Sequence, residues 1–191
     1  MKIYDISQEL LSSSVYEGDP APKKIQIKNS REDGYNLSLI SMCAHNGTHI
    51  DAPYHFLNGG NTIEKMDISA FVGECYVVSH IGDISDVDAT KMVAASCPRI
   101  LIKGDAVVTS DAARIFADSG VLLVGCEGQS VGDVNAPAAV HKILLSRGVA
   151  LLEGIVLKDV PDGKYFLSAA PLNIAGADGS PCRAILIDFL G

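Results

Sequence analysis

The sequence predicts an α/β fold with a mixed, mostly covered sheet packed with helices. Short β-branched runs alternate with helical patterns through the last two thirds of the chain, and the runs are too continuously apolar for strands with one face in water. The amino-terminal third differs: it holds short strands and many turns without strong helical periodicity. In chain order, Glu74–Ile81 and Arg99–Lys103 read as strands. Ser110 then caps a helix running to about Ser119, with Gly120 as its stop. Val121–Gly125 is the next strand, and Asn135 caps a helix reaching Arg147, with Pro137 near its start and Gly148 beyond its end. Val149–Leu157 and Cys182–Phe189 complete the strands.

The chain has 191 residues and no tandem repeat, low-complexity tract or long linker, so one domain over residues 1–191 is expected. Apolar residues make up 48% and charged residues 20%, a globular balance that excludes a disordered or coiled-coil chain. The formal charge of −8 has the wrong sign for gripping phosphate backbones, so no nucleic-acid partner is expected. The five cysteines are odd in number and never spaced as C-x-x-C, which argues against a disulfide framework or a zinc ribbon. A reducing cytoplasm is the expected setting. No run is long enough to span a membrane and the first residues lack the apolar stretch of a leader, so the chain reads as soluble and unprocessed.

Three of the five histidines, His45, His49 and His55, fall in the 11 residues H-N-G-T-H-I-D-A-P-Y-H. Even scattering would place about 0.3 there. His45, His49, Asp51 and His55 all occupy odd positions, so a pleated strand would project them to one face. A straight strand would nevertheless hold His45 and His49 about 13 Å apart, too far for one ion bonded to imidazole at about 2 Å. Gly47, Thr48, Ile50 and Pro53 disfavour a helix, so a bend is expected at Asn46-Gly47, where glycine tolerates positive φ. Neutral imidazole and carboxylate are usual ligands of zinc and manganese, and a catalytic metal keeps one position open.

His141 and Glu153 lie far along the chain. The helix descends about 9 Å from His141 to Arg147, and the following strand climbs back about 13 Å by Glu153, so the two side chains can end near one level. Glu153 interrupts the apolar run VALLEGIVL, where an ionised carboxylate needs a partner. The Gly-rich stretches Gly125–Gly132 and Ile174–Gly179 contain neither GxxxxGK[ST] nor GxGxxG, which argues against nucleotide binding. Cys126 is read as a small core residue rather than a nucleophile.

His45–His55 resembles, at every fixed position, the H-x-G-T-H-x-D-x-P-x-H signature of the cyclase family of metal-dependent hydrolases. Similarity extends to YDIS and YEGDP near the start, to the surroundings of His141 and Glu153, and to APLNIAGADGSPCRAIL near the end. The resemblance implies the swivelling β/β/α domain. It also implies two divalent ions per subunit, zinc first and manganese second, with His45, His49 and Asp51 on one, His141 and Glu153 completing the other, and Asp51 and Glu153 shared. His55 corresponds to the family's proton donor and acceptor.

The activity implied is cleavage of an amide or formamide by metal-activated water. The nearest pattern is that of an arylformamidase acting on N-formylkynurenine or a similar small molecule in tryptophan catabolism. Ring opening of a cyclic amide, as in isatin hydrolases, and a non-catalytic metal-binding protein of the same fold are the alternatives. A homodimer or homotetramer is implied, with no membrane partner. The chain departs from the formamidase pattern at Tyr16-Glu17, where Trp-Pro is usual, at Cys126-Glu127, which replaces Thr-Asp, and at Gly132, where Asp is common. Tyr16 could give a ring-bearing substrate an aromatic face.

Overall fold

A computed structural model describes residues 1–189; Leu190 and Gly191, the last two positions of the expected domain, lie outside them. The strands are β1 (Lys2–Asp5), β2 (Lys23–Lys28), β3 (Leu37–Ser41), β4 (His49–Asp51), β5 (Val72–Ser79), β6 (Gly82–Ile84), β7 (Arg99–Lys103), β8 (Ala106–Val108), β9 (Leu123–Cys126), β10 (Ala150–Glu153), β11 (Gly163–Ser168), β12 (Gly179–Pro181) and β13 (Ile185–Asp188). The helices are α1 (Ser30–Asp33), α2 (Asp86–Val93), α3 (Ser110–Asp118) and α4 (Ala138–Ser146).

Among the described residues, nine strands form one mixed sheet in the order β1-β13-β11-β5-β7-β9-β10-β4-β12. Its centre, β5-β7-β9-β10, is parallel. Both faces of β7, β9 and β10 are covered, which is why their sequences read as continuous apolar runs. On β7, Ile100 and Ile102 face one apolar cluster with Ala112 and Phe116 of α3 and Leu144 of α4, while Leu101 faces the other with Ile50, Phe71 and Leu152. Outside the sheet, β2 and β3 make an antiparallel hairpin, and β6 pairs in parallel with β8.

The expected α/β class is therefore observed, with local corrections. The first predicted helix is capped by Thr109, not Ser110: its hydroxyl accepts from the Ala112 amide, and Ser110 is already helical. Asn135 does not cap the second; Pro137 stands at its N-cap and offers no side-chain cap. The strand expected over Val149–Leu157 is only β10, because beyond Glu153 the Gly154 and Ile155 amides donate to Gly128 and Cys126 carbonyls and the chain leaves the ladder. The run Cys182–Phe189 yields only Ile185–Asp188 as β13. Among the described residues no helix is long and apolar enough to cross a membrane, and all five cysteines are free.

Candidate metal centre

Strand β4 seats the first candidate ligands between two neighbours. It pairs antiparallel with β10, placing Glu153 opposite His49, and with β12, placing Gly179 opposite Asp51. Residues directly opposite share a face, as do i and i+2 on one strand, so His49, Asp51 and Glu153 project together. The expected bend is present: Cys43–Thr48 is outside any strand, Gly47 has φ of 66°, and this turn swings His45 over the ends of β4 and β12. His45 is thus brought in by the turn rather than by strand alternation, and His55 by a short 3₁₀ turn, Pro53–His55. From the opposite side, α4 supplies His141, whose Nε2 lies 3.1 Å from Glu153 Oε1 and 3.4 Å from Asp51 Oδ2.

The polar atoms crowd around one carboxylate. His45 Nδ1 is 2.8 Å from Asp51 Oδ1, and His49 Nε2 is 3.4 Å from both Asp51 Oδ1 and Glu153 Oε2. Three groups of ligand atoms each fall within 4.8 Å: His45-His49-Asp51 and Asp51-His141-Glu153, which share Asp51, and the more exposed His45-His55-Asp178. Separations of 3.4 Å match those between neighbouring ligands around one ion held tetrahedrally by bonds of about 2.0–2.1 Å. Asp51 Oδ2 is buried without a hydrogen-bond partner. A buried carboxylate oxygen that makes no hydrogen bond and faces imidazole nitrogens is the chemistry of a cation site, so these residues fit the divalent ions expected of them.

The far nitrogens of the imidazoles are also occupied. His49 Nδ1 donates to the Gly47 carbonyl at 2.9 Å, and His141 Nδ1 donates to the Pro137 carbonyl at 2.9 Å. These bonds fix the tautomer that leaves Nε2 of each ring facing the carboxylates. Burial alone would depress the histidines. The neighbouring Asp51 and Glu153 overcome it and raise both His49 and His141 to about 10 in the metal-free protein. Burial likewise opposes ionisation of Asp51, but His141, His45 and His49 hold it well below the usual carboxylate range.

His55 and Tyr16 lie beside a cavity of about 460 Å³, also lined by Phe56, Gln129, Ser130 and Asp178. The His55 ring stacks on His45 at 4.0 Å between centroids, and burial pushes its pKa below the ordinary value, leaving it neutral near pH 7. The Tyr16 hydroxyl donates to the Val134 carbonyl at 2.7 Å, which ties its ring to the cavity wall. Cys126 is buried and its thiol is pushed well up by that burial, in keeping with a core residue. Glu127 points elsewhere: its carboxylate accepts the Gly104 and Leu157 amides, both at 2.7 Å. At Gly132 a Cβ would meet the Val140 side chain at 3.0 Å.

Sequence reasoning missed Asp178, whose Oδ2 accepts from His45 Nε2 at 3.0 Å and lies 3.4 Å from His55 Nδ1. It also missed Phe56, whose ring sits 4.5 Å from that of His141. Asp178 and the pair Gln129-Ser130 belong to the two glycine-rich stretches considered for phosphate binding; both stretches instead supply cavity wall.

The family model described as "Putative cyclase" matches residues 4–107. A protein named kynurenine formamidase from Salinibacter ruber is 33% identical, with 98% of each chain covered. Among solved structures, a "predicted metal-dependent hydrolase" from Bacillus stearothermophilus is 33% identical with a TM-score of 0.80, covering 97% of each chain. Isatin hydrolase A from Labrenzia aggregata superposes with a TM-score of 0.83 at 20% identity, covering 97% of this chain and 93% of that one, a likeness of fold. With a signature at His45–His55, a sheet that gathers its candidate ligands and relatives matched over nearly the whole chain, the chain belongs to the cyclase family of metal-dependent hydrolases.

Proposed function

We propose that the protein hydrolyses aryl formamides, with N-formylkynurenine or a close analogue as substrate. The observation that carries this reading is the convergence of His45, His49, Asp51, His141 and Glu153 beside a cavity that is also lined by a further imidazole, His55. His45, His49 and Asp51 would hold one divalent ion and Asp51, His141 and Glu153 a second, zinc first and manganese next in order. Such ions, when bound, lower the pKa of water and polarise a carbonyl.

The chain's own groups do the rest. His55, neutral near pH 7, can accept a proton from the attacking water and deliver it to the departing aniline nitrogen. Phe56 and Tyr16 give an aromatic substrate apolar wall, and a cavity of about 460 Å³ lies in the range of small-molecule sites. Identity of 33% to a kynurenine formamidase over the whole length supports the formamide class.

The test is formate release from a panel of aryl formamides, with and without chelator. Chelator-sensitive release of formate supports the proposal. Ring opening of cyclic amides without formate would move the protein to the isatin hydrolase reaction, and no turnover of either would make it a metal-binding protein of this fold.

We also propose that it works as a homodimer or homotetramer with a second copy covering the β2-β3 hairpin. Ile25 lies opposite Leu39, Leu37 shares the face of Leu39, and Ile27 sits where the register shifts beside them; all four are about half exposed. Light scattering that gives a single-chain mass would overturn this.

A further inference from the structure

Asp178 stands at the end of a loop, just before β12, with its backbone carbonyl accepting the Ala52 amide at 2.9 Å. That bond sets its carboxylate between two rings. One oxygen, Oδ2, lies 3.0 Å from His45 Nε2 and 3.4 Å from His55 Nδ1. His45 has carboxylates on both nitrogens, since Nδ1 faces Asp51 at 2.8 Å. His49 and His141 turn one nitrogen inward and give the other to a backbone carbonyl; for His45 the outer acceptor is a side chain. The next residue completes the seat. A Cβ on Gly179 would lie 2.6 Å from His45 Cε1 and 2.8 Å from the Ile50 carbonyl oxygen, so only glycine leaves room for the ring there.

We propose that Asp178 is a positioning residue that grips both imidazoles at once. It would present His45 Nδ1 to the ion held with His49 and Asp51, and hold the His55 ring over the cavity. A carboxylate that accepts the outer N–H of a ligating histidine fixes its tautomer and ring angle, and losing such a partner typically costs 10–100-fold in metal affinity. The second grip rests on the function proposed above; the first requires only that the site hold a metal.

The experiment uses Asp178→Ala and Asp178→Asn in the full chain. Zn²⁺ affinity is read by competition with a chromogenic chelator, and turnover at saturating Zn²⁺ is read on formanilides with good and poor leaving anilines. The Ala variant is expected to bind Zn²⁺ roughly 10–100-fold more weakly at one site with the number of ions unchanged. At saturating Zn²⁺ its kcat falls while KM holds, more steeply for the poorer leaving group, because a misplaced His55 delivers its proton less well. The Asn variant, which keeps an acceptor oxygen in nearly the same volume, recovers part of both losses. Should the Ala variant not fold, the Asn variant must still bind Zn²⁺ more weakly than wild type. Wild-type affinity and turnover in both variants would overturn the proposal, and so would loss of one whole equivalent of Zn²⁺, which would make Asp178 a ligand. A wild-type protein that binds Zn²⁺ but cleaves no formamide refutes the proposed function while the affinity measurement still judges the grip on His45.

Discussion

At the scale of single residues, the five ligand candidates differ in what surrounds them, and so should their variants. His55 lies outside both ligand groups that share Asp51 and falls with His45 and Asp178 in a third, to which the proposed function assigns no ion, so His55→Ala should leave metal content unchanged. It should lower kcat roughly 10²–10⁴-fold, the usual range for a general acid or base. Elemental analysis beside kinetics checks this; lost metal would make His55 a ligand. The histidine pKa values set a second expectation. His49 and His141 rise from 6.5 to about 10 in the metal-free fold, so they bind protons more tightly folded than unfolded. Their contribution to stability is full below about pH 6.5 and is lost as pH climbs toward 10. Thermal melts of the metal-free protein should therefore fall across that window. A metal ion requires both rings neutral, so metal uptake near pH 7 should release protons. Titration calorimetry in buffers of different ionisation enthalpy reads that release.

At the scale of elements, the turn before β4 is tied to its surroundings through one hydroxyl. Thr48 Oγ1 donates to the Gly154 carbonyl at 2.6 Å and accepts the Gln8 amide at 2.9 Å. It thus joins the His45 turn, the end of β10 beyond Glu153 and the amino-terminal segment. Thr48→Val keeps the shape and strands both backbone groups, which should destabilise the fold by about 1–3 kcal/mol in urea denaturation. The Thr48 signature position was legible in the sequence; this job for it was not, because Gly154 and Gln8 are distant in the chain. The same limit explains what else escaped. His45–His55 could be read because its residues are neighbours, and β7 because a doubly covered strand is continuously apolar. Helix α2 carried a signal that went unread, the capping box Ser85-x-x-Asp88. Asp178 carried none: a lone acid in a glycine-rich turn shows nothing of the ring it meets 133 positions away. The strand over Val149–Leu157 was read too long because apolar residues beyond Glu153 fill the core from a loop, where periodicity cannot distinguish them.

At the scale of the whole molecule, the fold brings candidate ligands from β4, β10 and α4 to one point, where among the described residues the ion-pair partners of the two buried carboxylates are histidines. A bound ion would cross-link three elements and favour the folded state by mass action. Chelation should accordingly lower the melting temperature, and added Zn²⁺ should restore it. The most direct measurement is a calorimetric titration of the metal-free protein with Zn²⁺, run beside Asp51→Ala. The account predicts close to two ions per chain in the wild type and loss of tight binding at both sites in the variant, since Asp51 belongs to both ligand groups. A wild type that takes up no Zn²⁺, or an Asp51→Ala protein that binds it as the wild type does, would contradict the account at its centre.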